Sequence, residues 1–170
     1  MKNNKYLLTL KHYTKEVVIF VIVMTVFANI ISLYKSSDLN KNPLNIVNIK
    51  LLDNTAYQLP ENKPILVHFW ATWCPTCKVE ASNIQTISKS YEVLTIAVKS
   101  GTKKEIKEYL NENSYTFNVV DDNSAFIANE FNIAAYPTTF IYDKDKNLIF
   151  SEVGYTSTLG LWFRMWWASF

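Results

Sequence analysis

Residues 63–80 read KPILVHFWATWCPTCKVE. Ile65–Trp70 is a nearly continuous apolar run, the pattern of a strand covered on both faces. A short turn follows, and Cys74-Pro-Thr-Cys77 then opens a helix. Over Cys77–Ser90 the apolar residues Val79/Ala81, Ile84 and Ile87/Tyr91 recur at helical spacing. A strand that delivers a Cys-x-x-Cys pair to a helix start places the first sulfur among unpaired backbone N–H groups, at the positive end of the helix dipole. A thiol held there ionises more readily than free cysteine, whose pKa is about 8.5. The second cysteine follows one turn later, within reach of an intramolecular disulfide.

Three other uses of the pair compete with redox chemistry. As a structural staple it would be poor, because so short a loop restricts the unfolded chain by only about 2 kcal/mol. Zinc would need a second ligand pair, and the two histidines, His12 and His68, do not supply it. Two inert buried thiols are disfavoured by the polar Thr72 and the turn-forming Pro75. The placement after a strand favours a redox pair, and no metal site is expected.

Outward from this segment the elements alternate. Val93–Val98 is a second buried strand. Thr102 before KKEIKEYLNEN is a helix cap, with Glu105 completing a capping box. Phe117–Val120 is a short strand and Ser124–Phe131 a short helix capped by Asn123 or Ser124. Thr138–Tyr142 and Leu148–Val153 flank DKDKN and form a hairpin. A last helix follows Thr156-Ser157-Thr158, and Ile46–Leu51 is a β-branched run ahead of the motif. The order implies an α/β fold with a mixed central sheet between helices. In the last helix Leu159, Trp162, Phe163, Trp166, Trp167 and Phe170 share a broad face. Core packing is the expected use of that face, with a membrane surface as the alternative.

The 170 residues suffice for one domain of ordinary size. With 49% hydrophobic residues the chain is not disordered as a whole. The net charge of +2 averages unlike parts: residues 1–35 carry five Lys and one Glu (+4), leaving −2 for residues 36–170. A body at −2 lacks the basic surface a nucleic acid needs. Residues 17–34, VVIFVIVMTVFANIISLY, contain no charge and would cover about 27 Å as a helix, close to a hydrocarbon core. The run is longer than a signal-peptide core and no small-residue cleavage pattern follows it. Four lysines (2, 5, 11 and 15) precede it, and only Lys35 and Lys41 follow closely. The expected organisation is a cytoplasmic segment 1–16, a transmembrane signal-anchor 17–34, a polar linker 35–45 and an extracytoplasmic domain 46–170.

The run Phe69-Trp-Ala-Thr-Trp-Cys-Pro-Thr-Cys-Lys78, together with Tyr136-Pro137-Thr138 before the hairpin, resembles the thioredoxin superfamily. Thr72 and Glu80 fit its membrane-anchored TlpA/ResA-like branch, and residues 94–101 and 154–168 look closest to ScsD-like proteins. The resemblance covers residues from about 45 onward. It implies a thioredoxin-like fold and a protein disulfide oxidoreductase of the bacterial cytoplasmic membrane, facing the periplasm. No cofactor is implied beyond the Cys74–Cys77 disulfide. Cys74 would be the exposed attacking thiolate and Cys77 the buried resolving thiol. Pro137 would be cis, with the backbone of Tyr136 meeting substrate. Trp73 would shield the disulfide, and Pro75-Thr76 would tune its potential. Partners would be protein dithiols or disulfides and a membrane thiol protein that donates electrons, with reduction the preferred direction.

Two residues stay open. His68 stands where thioredoxin has an aspartate; it is either a base for Cys77 or, slightly favoured, a core histidine bonded to a backbone carbonyl. Glu80, one turn beyond Cys77, either raises the thiol pKa values or serves the helix dipole. Competing functions are a Cu(I)-binding module using the two thiolates and a tethered docking domain whose disulfide is incidental.

Overall fold

The computed structural model describes the backbone of residues 2–36, 38–46 and 49–170; the side chains of residues 2–12, 28–29 and 32–35 lie outside the description. The chain divides into two units, Met1–Lys35 and Ser36–Phe170. The first is one helix, α1 (Lys2–Lys35). Among the described residues no helix is long and apolar enough to cross a membrane. The expected span 17–34 includes residues 28, 29 and 32–34, and His12 also falls among the side chains not described.

The second unit is built on a five-stranded sheet in the order β3-β2-β1-β4-β5. The strands are β1 (Ile65–Trp70), β2 (Glu92–Val98), β3 (Asn118–Asp122), β4 (Thr138–Tyr142) and β5 (Leu148–Val153). β1, β2 and β3 run parallel, while β4 and β5 are antiparallel to their neighbours. β1 is therefore central, and all six of its residues are buried. That double burial explains the continuous apolar run.

The helices are α2 (Pro75–Ser88), α3 (Lys103–Glu112), α4 (Phe126–Glu130) and α5 (Thr158–Trp167). On one face of the sheet Leu66, Trp70, Val93, Ala97 and Ile141 pack with Ile84 of α2, Ile106 of α3 and Leu161 and Met165 of α5. On the other, Val67, Phe69, Ile96 and Phe140 pack with Ala128 of α4. The capping box of Thr102 and Glu105 forms as its sequence implies.

Four local readings are corrected or refined by the structure. α4 is not capped by Asn123 or Ser124. Its N-cap is Ala125, with a left-handed φ of 59° and no side-chain bond. Asp122 does that work from the end of β3, its Oδ2 accepting the Ala128 N–H at 2.9 Å. The β-branched run Ile46–Leu51 forms no strand among its described residues; its one β-pairing there is an isolated bridge between Lys50 and Ala56. The linker is not free throughout. Leu39 and Leu44 are buried with the α4-side core, and the Leu44 N–H donates to the Lys146 carbonyl at 2.9 Å.

The fourth correction concerns α5. Its inward residues are Leu161, Met165 and Ala168, at i, i+4 and i+7. The aromatic face expected to enter the core points outward, with Leu159, Trp162, Phe163, Trp166, Trp167 and Phe170 between 41% and 84% exposed. Their rings touch one another instead, as in Trp166–Phe170 at 5.0 Å between centroids. Two adjacent apolar stripes compete for the sheet, and the narrower one fits closely over α2. The two leucines of α5 test this orientation. Leu161→Ala should lower the unfolding free energy by about 2–5 kcal/mol, whereas Leu159→Ala should stay within about 0.5 kcal/mol, both read from urea midpoints.

Candidate active site

The site begins where β1 ends. The turn after Trp70 is pinned to the loop following β2, its parallel neighbour. The Thr72 N–H donates to Ser100 Oγ (3.1 Å), the Thr72 hydroxyl to the Ser100 carbonyl (3.2 Å), and the Trp73 indole N–H to the Lys99 carbonyl (3.0 Å). Ser100 itself is buried and donates to Val98 O. Neither Lys99 nor Ser100 carries a local signal of this role. It arises because β1 and β2 are neighbours in the sheet.

Cys74 is the N-cap of α2, and Pro75 occupies the first turn, where a missing N–H costs nothing. Helix α2 thus starts two residues before the apolar periodicity does. The Cys77 N–H donates to Cys74 Sγ at 3.2 Å, so the sulfur receives one of the orphan donors of the helix end. The two cysteines form a disulfide, with Cα atoms 5.3 Å apart. Cys74 is only 5% exposed and Cys77 1%, so Cys74 is the more open sulfur but not a freely exposed one. Its cover is local. Trp73, 58% exposed, stands edge-on to Tyr136 with ring centroids 5.8 Å apart.

The Tyr136–Pro137 peptide is cis. Pro137 is buried, and Cys74 Sγ lies 3.7 Å from the Tyr136 carbonyl oxygen. The Gly154 N–H donates to the Pro137 carbonyl at 2.8 Å, tying this loop to the end of β5. Thr76 and Pro75 are exposed on the first turn of α2.

Beneath the disulfide a polar row crosses an otherwise apolar sheet face. Thr95, His68, Thr139 and Glu152 are register partners on β2, β1, β4 and β5. His68 Nδ1 lies 2.9 Å from Thr139 Oγ1. His68 is thus a buried histidine whose partner is a threonine hydroxyl in place of the expected carbonyl. Burial alone drives its pKa down to about 3, so the imidazole is neutral across the physiological range.

Glu80 is completely buried in the middle of α2. It lies one turn after Cys77, where i and i+3 side chains are neighbours about 5–6 Å apart at Cβ. Its Oε1 accepts the Thr156 N–H at 3.0 Å, and its Oε2 has no partner. Burial pushes its pKa up to about 8, opposed by the Thr156 bond and reinforced by Glu152. A dipole-stabilising first-turn glutamate would be exposed and ionised. Glu80 is buried, and its raised pKa keeps it protonated at neutral pH. Thr156, Glu152, Arg164 and Thr139, all near this carboxyl or the histidine, were not legible in the sequence, because each comes from a distant strand, helix or connection.

The comparisons with known proteins agree with this geometry. Residues 43–151 match the AhpC/TSA family. The chain belongs to that family. A thioredoxin-like protein of Haemophilus influenzae is 34% identical over 113 residues, covering 66% of this chain and 67% of that protein. The thiol-disulfide oxidoreductase ResA of Oceanobacillus iheyensis is 29% identical over 96 residues, 52% of this chain and half (50%) of that protein. These place the chain with the TlpA/ResA-like thiol–disulfide oxidoreductases. A crystal structure of a thioredoxin-family thiol:disulfide interchange protein from Chlorobium tepidum superposes with a TM-score of 0.68 at 21% identity. It covers 79% of this chain and all (100%) of that one, and shares the fold.

The two buried titratable groups give opposite pH dependence. Glu80 holds its proton in the folded state up to about pH 8, whereas the unfolded carboxyl loses it near 4.5. Its contribution is thus present below pH 4.5 and lost as pH rises towards 8. His68 stays neutral down to about pH 3, whereas the unfolded imidazole protonates near 6.5. Stability is therefore lost as pH falls from 6.5 towards 3. Each group changes the slope by at most about 1.4 kcal/mol per pH unit. Urea titrations of the oxidised protein should show Glu80→Gln flattening the alkaline loss and His68→Gln flattening the acid loss. A variant whose slope matches the parent in its own window would contradict the assignment.

Proposed function

We propose that this protein exchanges disulfides with partner proteins through Cys74 and Cys77, outside the cytoplasm and tethered by its N-terminal helix. The observation that carries this reading is the Cys74 sulfur acting as the cap of α2 beside the Tyr136–Pro137 loop. That position lowers the cost of a thiolate, and the exposed Trp73 beside it offers a surface to a substrate.

In the reductive direction the Cys74 thiolate attacks one sulfur of a substrate disulfide. A Cys74–substrate bond forms, the substrate S–S bond breaks, and one substrate thiolate leaves. Cys77 then attacks Cys74 Sγ, re-forming the internal disulfide and releasing the second substrate thiolate. Two electrons pass to the substrate, and a thiol protein of the membrane returns them by the reverse sequence. The Tyr136 backbone and the Trp73 ring position the substrate, and Pro75-Thr76 shape the turn that sets the potential.

Glu80 carries the proton in this scheme. With the disulfide closed its carboxyl is neutral at physiological pH. When a donor opens the disulfide, Cys77 departs as a thiolate and takes that proton. When Cys77 must attack, the carboxylate takes it back. A pKa of about 8 lies close to a thiol's, which makes transfer easy in both directions.

The tether rests on the uncharged run 17–34 and on the excess of lysine before it. The described apolar side chains from Val17 to Phe27 are between 44% and 65% exposed on all sides of α1. A helix apolar all round belongs in lipid or a large core. The lysine excess puts the N-terminus in the cytoplasm and the domain beyond the membrane.

Trapping separates this reading from a docking domain or a metal-binding module. Cys77→Ala should accumulate a mixed disulfide on Cys74, identified by mass spectrometry, whereas Cys74→Ala should accumulate none. Absence of any adduct on a folded, membrane-fractionated Cys77→Ala protein would overturn the exchange mechanism.

A further inference from the structure

Glu80 is joined to a second carboxylate that no exchange chemistry calls for. Thr156 binds both: its N–H donates to Glu80 Oε1 at 3.0 Å and its hydroxyl donates to Glu152 Oε2 at 2.8 Å. On the other side of Glu152, Arg164 Nη2 donates to Oε1 in a charged hydrogen bond. The arrangement is a line: Glu80, Thr156, Glu152, Arg164. It runs from the redox helix α2, through the β5–α5 connection, to α5.

Several features hold the line in place. Asn83, one turn beyond Glu80 on α2, donates to the Thr156 carbonyl at 3.0 Å and accepts from the Thr158 hydroxyl at 2.8 Å. Gly160 leaves room for the arginine, since a Cβ there would stand 2.9 Å from Arg164 Nη1 and 3.2 Å from Thr156 Cγ2. The pair is three-quarters covered, with side-chain exposures of 22% for Arg164 and 23% for Glu152. Arg164 is the only charge on α5, and it is turned inward while the aromatic side chains face out. A helix that turns its one cation inward and exposes three tryptophans is not ordered by hydrophobicity alone.

We propose that Glu152, clamped by Arg164 and joined to Glu80 through Thr156, is a positioning residue for the exchange reaction, keeping the Glu80 carboxyl in its proton-bearing form while the disulfide is closed. The proposal rests on Glu80 being the proton carrier. The Glu152 carboxylate repels a second negative charge on Glu80, and Arg164 limits that repulsion by neutralising Glu152 from its far side. Burial is the main cause of the raised Glu80 pKa, and the nearby Glu152 charge acts in the same direction. The other titratable groups around Glu80 among the described residues do not compete. His68 on β1 is neutral, Lys78 on α2 points to solvent, Tyr155 is bound by Asn83, and Cys74 and Cys77 are locked in the disulfide.

The test uses two substitutions that push in opposite directions. In the full-length oxidised protein no thiol titrates, so the Glu80 carboxyl can be followed by carbon-13 NMR, with Glu80→Gln assigning the signal. Glu152→Gln should move its midpoint down by about one pH unit, and Arg164→Gln should move it up. Arg164→Lys, which keeps the charge, should return it towards the parent value and guards against a folding defect in Arg164→Gln. The pH profile of disulfide opening by a small thiol should shift in the same direction as each midpoint. A Glu80 midpoint that stays put in both variants, or moves the same way in both, overturns the proposal while leaving Glu80's own role intact. Midpoints that move as expected while the pH profile does not would overturn the proton-carrier role itself, and the proposal with it.

Discussion

One hydrogen bond organises the chemistry of this protein: the Cys77 N–H donating to Cys74 Sγ. It makes a sulfur, rather than a serine or aspartate oxygen, the cap of α2. The bond exists only because β1 delivers Cys74 to one point in space. β1 is held on both sides, by β2 and β4, and the turn beyond it is fastened to Lys99 and Ser100. The cis loop at Tyr136–Pro137 precedes β4, the strand paired with β1 on its other side, so it meets the sulfur without a dedicated scaffold. Strand order is therefore what brings residues 74, 99 and 136 together.

The two sides of the disulfide have different physics. Above it, Trp73 and Tyr136 form a partly open aromatic edge suited to a protein partner. Below it, Glu80 and the row Thr95, His68 and Thr139 put polar groups into the buried interior, with the partly covered Glu152 at the end of the row. Burying such groups costs stability unless each finds a partner. His68 finds Thr139 and Glu152 finds Arg164, but one oxygen of Glu80 finds none. An unpartnered buried carboxyl oxygen is retained at a cost, and it lies one helical turn from the thiol that must gain and lose a proton.

Much of this was legible in residues 63–80 alone. Continuous apolar strands, a Cys-x-x-Cys at a helix start and the capping box at Thr102 are local signals, and local signals survive folding. The failures share one cause. In α5 the periodicity marks two adjacent apolar stripes, and only packing against α2 selects Leu161, Met165 and Ala168 over the larger aromatics. For α4 the cap is Asp122, supplied from the preceding strand rather than from Asn123 or Ser124. The burial of Leu39 and Leu44 shows the same limit: a polar linker by composition becomes part of the domain through two side chains. Glu152, Thr156 and Arg164 meet Glu80 only because β5 and α5 return to the redox helix.

The central claim is that the capped sulfur of Cys74 ionises more easily than an ordinary thiol. The rate of Cys74 alkylation by iodoacetamide against pH, in the reduced Cys77→Ala protein, measures it directly. The expected midpoint lies clearly below the value of about 8.5 for free cysteine. A midpoint at or above that value, with reactivity no greater than that of a small thiol, would contradict it.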